Sequence, residues 1–286
     1  MNPIDTIMNS AIDSFSEAIL ETDRRHFMHP GTHASDHASG ELEGRLMRRA
    51  SGIRIEDHAG RSYIDAFAGL YCVNIGYGRE EMAEAIAAQS RKLSFYHTYA
   101  GFSNDPAVEL SQRLIEDWSP PGMKKVFYGM SGSDANETQI KLVWYYNNVL
   151  GRSRKKKIIA RHRSYHGSGI ATGSLTGQAK FHAAFDLPMP QVLHTACPDF
   201  YRDARPGDSE SAFVADCVEQ LERLIESEGA DTIAAFFGEP VMGSGGILPP
   251  PAGYWPAIQA VLKRHDILFV ADEVVCGFGR LGSRNG

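Results

Sequence analysis

The pattern of apolar and polar positions changes along the chain. Apolar residues at helical spacing over the first ~27 residues predict an amphipathic helix. Alternating positions in residues 52–57 and 62–67, joined at Ala59-Gly60, predict a β-hairpin. From about residue 79 onward, helical segments alternate with short apolar runs, which indicates a different architecture for the rest of the chain.

That second part is typical of an α/β fold. The predicted helices are Glu80–Leu93, Pro106–Trp118, Ala135–Leu150, Glu210–Glu228 and Trp255–His265. The predicted strands are Lys125–Tyr128, Lys157–Ala160, Thr232–Phe237 and Ile267–Ala271. The alternation favours a mostly parallel sheet flanked by helices. Since such sheets bind ligands at the carboxyl ends of their strands, candidate residues are expected there.

Composition narrows the class of protein. A chain of 286 residues with 43% hydrophobic and 22% charged residues can bury a core, which excludes wholesale disorder. The net charge of -6 argues against a nucleic-acid partner, and no apolar stretch is long enough for a membrane span. The cysteines are Cys72, Cys197, Cys217 and Cys276, and their wide separation predicts reduced thiols in a cytoplasmic protein.

Two strand exits carry small polar and aromatic residues. Residues 129–137 contain Gly132 and Ser133 where a strand meets a helix. Their amides and hydroxyls could cradle a phosphate, or Ser133 or Asp134 could simply cap the helix. Tyr165 follows the next strand, where its ring could stack on a flat ligand or pack against the protein.

Two further exits carry carboxylates. Glu239 follows the apolar run that ends at Phe237, either as a ligand contact or as a surface residue that begins a loop. Asp272 ends the last predicted strand, where a carboxylate is costly unless it is paired. A nucleotide-hydrolysing P-loop protein would need a Gly-Lys-Ser/Thr sequence, which the chain lacks. Asp272 is therefore expected to pair with a cationic nitrogen of a bound cofactor.

One histidine-rich stretch is a candidate metal site. His29, His33 and His37 recur four residues apart, with Asp36 adjacent. Pro30 and the neighbouring glycines predict a loop, in which these side chains would not share a helix face. The sequence therefore predicts no metal site.

The order of the four exits resembles that of a known family. The ordered segments are Ser131-Gly132-Ser133, Tyr165-His166-Gly167, Glu239-Pro240 and Asp272-Glu273-Val274. Together they are similar to the motifs of class III pyridoxal-phosphate-dependent aminotransferases, most of all the omega-amino-acid:pyruvate transaminases. The resemblance covers nearly the whole chain and implies the fold type I architecture of transferases that use this cofactor.

The resemblance assigns a cofactor role to each motif. Gly132 and Ser133 would hold the phosphate, and Tyr165 and Val274 would pack on opposite faces of the pyridine ring. The remaining assignments concern the ring's polar edge and the substrate. Asp272 would pair with the pyridine nitrogen as the catalytic carboxylate, Glu239 would lie near the ring edge, and Tyr71, Tyr99 and Tyr165 would line the substrate pocket.

The same resemblance implies the organisation of the protein. Residues 1–70 would be an N-terminal segment of the small domain, and residues 71–286 would be an incomplete large cofactor-binding domain. The substrates would be an amine or omega-amino acid and a keto acid such as pyruvate, and the full-length protein would be a cytoplasmic homodimer.

The family's catalytic lysine lies downstream of the Asp272 motif, beyond the last residue here, Gly286. We therefore expect this chain to be a fragment lacking that lysine, with the C-terminal part of the fold absent, and to be inactive alone. Two alternatives stay open at this point: an inactive binding or interaction protein on the same fold, and an aminomutase or decarboxylase that uses the same cofactor.

Overall fold

A computed structural model of the chain describes residues 3–283, with side chains from residue 15 onward. The chain divides into two compact units, Met1–Ser103 and Asn104–Gly286. The sequence places the domain boundary at residue 70, and that assignment stays a prediction.

The predicted helices, the hairpin and three of the four other predicted strands are observed in the described residues, together with four short helices and two strands that the sequence did not predict. The helices are α1 Pro3–His26, α2 Ala34–Ser39, α3 Ala68–Tyr71, α4 Glu80–Lys92, α5 Asp105–Arg113, α6 Gly132–Val149, α7 Ile170–Leu175, α8 Phe200–Asp203, α9 Glu210–Glu228 and α10 Tyr254–Arg264. The strands are β1 Met47–Ser51, β2 Arg54–Asp57, β3 Ser62–Ile64, β4 Lys157–Arg161, β5 Val192–Thr195, β6 Ile233–Gly238 and β7 Leu268–Ala271. None of the helices in residues 3–283 is both long and apolar enough to cross a membrane.

The first unit contains the predicted hairpin. Strands β2 and β3 pair antiparallel, and β1 adds a third strand in the order β1-β2-β3. The turn is held by Asp57, whose carboxylate accepts hydrogen bonds from Arg61 Nε at 2.7 Å and from the Tyr63 hydroxyl at 2.8 Å. The histidine-rich stretch, which the sequence predicts as a loop from His29 to Ser39, is only partly a loop, since its second half forms α2.

The second unit is a four-stranded parallel sheet in the order β5-β4-β6-β7. Side chains alternate between its two faces: Ile159 and Phe236 pack against α9 and α10, while Ile158 and Phe237 pack against α6 and α7. Each large apolar side chain buried in this way stabilises the fold by roughly 1.5–3 kcal/mol. The predicted α/β class, with a parallel sheet covered by helices, is confirmed.

One strand prediction was wrong, and one strand of the parallel sheet was not predicted. Residues 125–128 form no strand in the described structure, and the Phe127 side chain is exposed. An apolar run becomes a strand only where neighbouring backbone offers hydrogen bonds, and this run has no such partner in the described part of the chain. Conversely, β5 was missed because His194 and Thr195 interrupt its apolar pattern.

Candidate active site

The site lies where three parallel strands end. Strands β4, β6 and β7 run in the same direction, so the residues that follow them meet at one edge of the sheet. Tyr165 and His166 follow β4, Glu239 follows β6, and Asp272 follows β7. The backbone N–H of Asp272 donates to the carbonyl of Gly238 at 2.9 Å, which extends the ladder between the two carboxylate-bearing loops.

The Asp272 side chain is held in the site by several hydrogen bonds. It is buried, and its Oδ2 atom accepts hydrogen bonds from Asn136 Nδ2 and His166 Nδ1, each at 2.8 Å. Its Oδ1 atom accepts from the backbone N–H of Val274 at 3.2 Å. Asn136 also donates to the carbonyl of His166 at 2.9 Å, so one amide joins helix α6 to both loops.

These contacts keep Asp272 charged despite its burial. Loss of solvent raises the pKa of this carboxyl, but the hydrogen bond and charge of His166, with the hydrogen bonds from Asn136 and Val274, lower it by more. The net result is a pKa below the ordinary range. A buried carboxylate in this state is suited to hold a cationic N–H group.

The beginning of α6 supplies the small polar residues. Its cap is Ser131, whose Oγ accepts from the backbone N–H of Asp134 at 3.1 Å, and not Ser133 or Asp134 as one interpretation of the sequence had it. The Ser133 hydroxyl is thereby left to face the β4 loop, where it accepts from the N–H of Ser168 at 3.2 Å. Hydroxyls and free amides at a helix N-terminus form a site suited to an anion.

Gly132 is required by close packing against the β7 loop. A Cβ atom at this position would lie 2.8 Å from Val274 Cγ2, a distance that real Cβ contacts essentially never show. The Val274 side chain is itself 66% exposed. Two residues that the sequence assigned to the phosphate and to the ring therefore lie side by side.

Glu239 connects the loops after β4 and β6 through hydrogen bonds in the protein interior. Its Oε1 accepts from the N–H of Tyr165 at 3.1 Å, and its Oε2 accepts from the N–H of Gly243 at 2.8 Å. The residue is buried, so the interpretation of Glu239 as a surface residue at the start of a loop was wrong. Its assigned position near a cofactor ring stays a prediction.

Sequence reasoning missed Arg161, which supports this loop from beneath. The side chain is fully buried at the end of β4, and its Nη2 donates to the carbonyl of Glu239 at 2.6 Å. Its guanidinium lies 4.8 Å from the ring centre of Trp255, whose indole N–H donates to the carbonyl of Pro240 at 3.0 Å. A cation directly after the apolar residues of β4 was the available signal.

The three tyrosines assigned to the substrate fall in different units. Tyr165 belongs to the second unit, lies at the rim of the site and packs edge-on against Phe181, with ring centres 5.6 Å apart. Tyr71 and Tyr99 belong to the first unit. Tyr71 packs edge-on against Phe67, and the Tyr99 side chain is exposed. Their role as substrate contacts stays a prediction.

Curated relatives of the chain are transaminases. This chain is 57% identical over 267 residues to the diaminobutyrate–2-oxoglutarate transaminase of Halomonas elongata. The aligned region covers 93% of this chain and 57% of that protein. The chain is 48% identical to the chloroplastic gamma aminobutyrate transaminase 3 of Solanum lycopersicum, over 87% of this chain and 48% of the relative. The chain thus spans about half to three-fifths of the length of these relatives.

Solved structures give the same result. A structure described as "Directed Evolution of Transaminases By Ancestral Reconstruction" is 68% identical and matches with a TM-score of 0.92, over 94% of this chain and 59% of its own. The omega transaminase of Pseudomonas jessenii, in complex with PMP, is 45% identical with a TM-score of 0.90, over 93% and 58% of the two chains.

The family model described as "Aminotransferase class-III" matches residues 34–284, which is most of the chain. The sequence motifs had indicated the same family, and this prediction is confirmed. The chain belongs to the class III aminotransferases, which depend on pyridoxal phosphate.

Proposed function

We propose that the protein containing this chain transfers an amino group from an amine or omega-amino acid to a keto acid such as pyruvate. The observation that carries the proposal is the buried, charged Asp272, held by Asn136 and His166 beside the N-terminus of α6. This edge of the sheet therefore carries a carboxylate and a helix N-terminus that can bind an anion. The two together suit a ligand that has both a cationic ring and a phosphate.

The residues present fit pyridoxal phosphate. Within residues 3–283, Asp272 Oδ1 accepts one hydrogen bond, from the N–H of Val274, and it would accept a further one from the pyridine nitrogen. Ser133 and Gly132 would receive the phosphate at the helix N-terminus. Tyr165 and Val274, both at the exposed rim, would cover the two ring faces.

The cofactor and the protein would contribute different parts of the chemistry. Bound pyridoxal phosphate supplies an electron sink for the carbon that carries the substrate's amino group. Asp272 would keep the pyridine nitrogen protonated, and it can do so because its own proton affinity is low. Glu239 and Arg161 would hold the loops after β6 and β4 in the spacing that the ring requires.

The substrate class follows from the relatives and the predicted pocket residues. Diaminobutyrate and 4-aminobutyrate, the donors named for two relatives, each carry an amino group distant from a carboxylate. Tyr165, at the rim of the site, would contact such a donor, and Tyr71 and Tyr99 remain proposed substrate contacts. We also propose a homodimer located in the cytoplasm, and the four free cysteines of the described residues are consistent with a reducing compartment.

The test uses protein expressed from the complete coding sequence and saturated with pyridoxal phosphate. Transfer is measured by following alanine formed from pyruvate, and glutamate formed from 2-oxoglutarate, with diaminobutyrate, 4-aminobutyrate and a simple primary amine as donors. We expect turnover with at least one pair, together with bleaching of the bound cofactor's visible absorption by the donor alone.

Product analysis separates this function from the alternatives. An isomerised amino acid, or carbon dioxide released without amino transfer, would indicate an aminomutase or a decarboxylase. A protein that stays colourless with the cofactor and converts no donor would contradict the proposal.

A further inference from the structure

A second cluster of chemically capable side chains lies in the first unit, remote in sequence from the motifs above. Asp23 from the last turns of α1, His29 from the following loop and His37 from α2 bring one ligand atom each to within 4.8 Å of one another. Asp36, which the sequence had placed with the histidines, is not a member, and neither is the exposed His33.

The distances are those of a nearly assembled coordination site. Asp23 Oδ2 lies 3.1 Å from His29 Nε2 and 2.9 Å from His37 Nε2, and Asp23 Oδ1 lies 3.1 Å from His29 Nε2. In a tetrahedral site with bonds of about 2.0–2.1 Å, neighbouring ligand atoms are about 3.3 Å apart. The two Asp23–histidine separations need to widen by only a few tenths of an ångström. The ligand atoms of His29 and His37 lie within 4.8 Å of each other, so the two rings complete the site by an approach of up to about 1.5 Å.

The surroundings favour a cation. His37 is buried, with 8% of its side chain exposed, whereas 36% of the His29 side chain is exposed, so the site has a fixed inner wall and an open side. Asp23 belongs to the C-terminal end of α1, where backbone carbonyls carry partial negative charge. The nearby Arg24 is paired with Glu21 at 3.1 Å.

The ligand set selects the class of metal. Two neutral imidazoles and one carboxylate suit divalent transition metals, whereas Ca²⁺ and Mg²⁺ prefer all-oxygen sites. Each ring here directs Nε2 at the carboxylate, so binding requires only that the ring proton moves to Nδ1. Three protein ligands leave a fourth position open to water on the exposed side of His29.

We propose that Asp23, His29 and His37 bind a divalent transition-metal ion of the Zn²⁺ class, which fastens the end of α1 to α2. The loop of residues 27–33 would then be held at both ends by the ion. This inference is independent of the proposed function, because it uses residues of the first unit alone and assigns the metal no part in amino transfer.

The experiment titrates Co²⁺ into tag-free, chelator-treated protein expressed from the complete coding sequence. We expect the intense visible absorption of four-coordinate Co²⁺ at one equivalent, displaced by Zn²⁺, and a higher melting temperature with Zn²⁺ than without. Loss of a residue that only hydrogen-bonds to a metal ligand weakens metal binding by ~10–100-fold. Asp23→Asn and His37→Gln each remove a ligand and should weaken binding by more than that. His33→Gln is the matched control and should bind as the parent does.

Three results would overturn the site. The first is a Co²⁺ spectrum that stays that of the hydrated ion. The second is equal binding by the parent, Asp23→Asn and His37→Gln. The third is loss of binding in His33→Gln. If either inner variant misfolds by circular dichroism, His29→Gln decides the question, because its partly exposed ring can be replaced without opening the protein interior.

Discussion

His166 Nδ1 lies 2.8 Å from Asp272 Oδ2, although the two residues are 106 positions apart in the chain. Both side chains are buried, so the contact is shielded from water. It fixes the orientation of the carboxylate and helps to lower its pKa. A ligand that reaches Asp272 therefore meets an acceptor whose charge and direction are already set.

Replacing Asp272 by Asn should abolish most amino transfer by the full-length protein. The variant keeps the size of the side chain but removes the charge that would hold the pyridine nitrogen protonated, so we expect turnover to fall by roughly 10²-fold or more. Steady-state assays with saturating cofactor measure the effect. Asp231→Asn, in an exposed ion pair with Arg154, is the control and should retain activity. Equal activity of the two variants would remove Asp272 from the site.

Gly132→Ala should weaken cofactor binding, and a second substitution, Val274→Ala, should recover part of it, although Val274→Ala alone removes a proposed contact with the ring. The added Cβ would collide with Val274 Cγ2 at 2.8 Å, and the second substitution removes that atom. Because Val274 is mostly exposed, its own replacement should change stability little. Cofactor titration of both single variants and the double variant measures the coupling. Additive effects would show that the two residues do not meet.

Gly177→Ala should destabilise the second unit strongly. A Cβ there would overlap the carbonyl oxygen of Arg161, the last residue of β4, and would lie 2.8 Å from the backbone nitrogen of Arg163, so the backbone at the end of β4 would have to move. We expect a loss of about 3 kcal/mol or more in the free energy of unfolding. Gly173→Ala is the matched control, since its Cβ would meet the tip of the Leu187 side chain at 3.2 Å and the backbone of Ser168 at an ordinary 3.9 Å. Similar losses in both variants would contradict this explanation.

His194 should make the protein less stable in mild acid. Burial, together with the charge of neighbouring His162, lowers the pKa of His194 to about 4 in the folded chain. The unfolded chain binds the proton near pH 6.5, so stability falls as the pH drops from about 6.5 towards 4 and levels off below. The contribution is on the order of 1–3 kcal/mol.

Denaturant unfolding of the parent and of His194→Asn across that pH range tests the assignment. The variant should show a shallower dependence on pH, by up to one proton, while His33→Asn, which alters an exposed ring, should keep the parental slope. A His194→Asn slope equal to that of the parent would assign the acid sensitivity to other groups.

The sequence predicts elements well where local signals agree with tertiary context. Helix α9 was expected at Glu210–Glu228 and is observed there, because Ser209 caps its start and Gly229 follows its end. Residues 125–128 have a comparable apolar pattern but form no strand, because strand formation depends on a neighbour that the local pattern does not encode.

The residues of the site also differ in how well the sequence alone predicts them. Glu239 and Asp272 are recognisable because a carboxylate directly after a buried strand is energetically costly unless it has a partner. Asn136 was not recognised, although it lies in register with the buried Ile140 and Val143 of α6, a polar residue in an apolar stripe. Asp23 could not be linked to His29 and His37 without knowing that α1 and α2 pack together.

The contact between Asn136 and Asp272 spans 136 positions, which has a consequence for synthesis on the ribosome. At roughly 5–20 residues per second, about 7–27 seconds pass between the synthesis of Asn136 and that of its carboxylate partner. During that interval α6 has a polar group on its inner face with no acceptor from β7. Only chains synthesised past residue 272 can therefore close this hydrogen-bond network between α6 and the loop after β7.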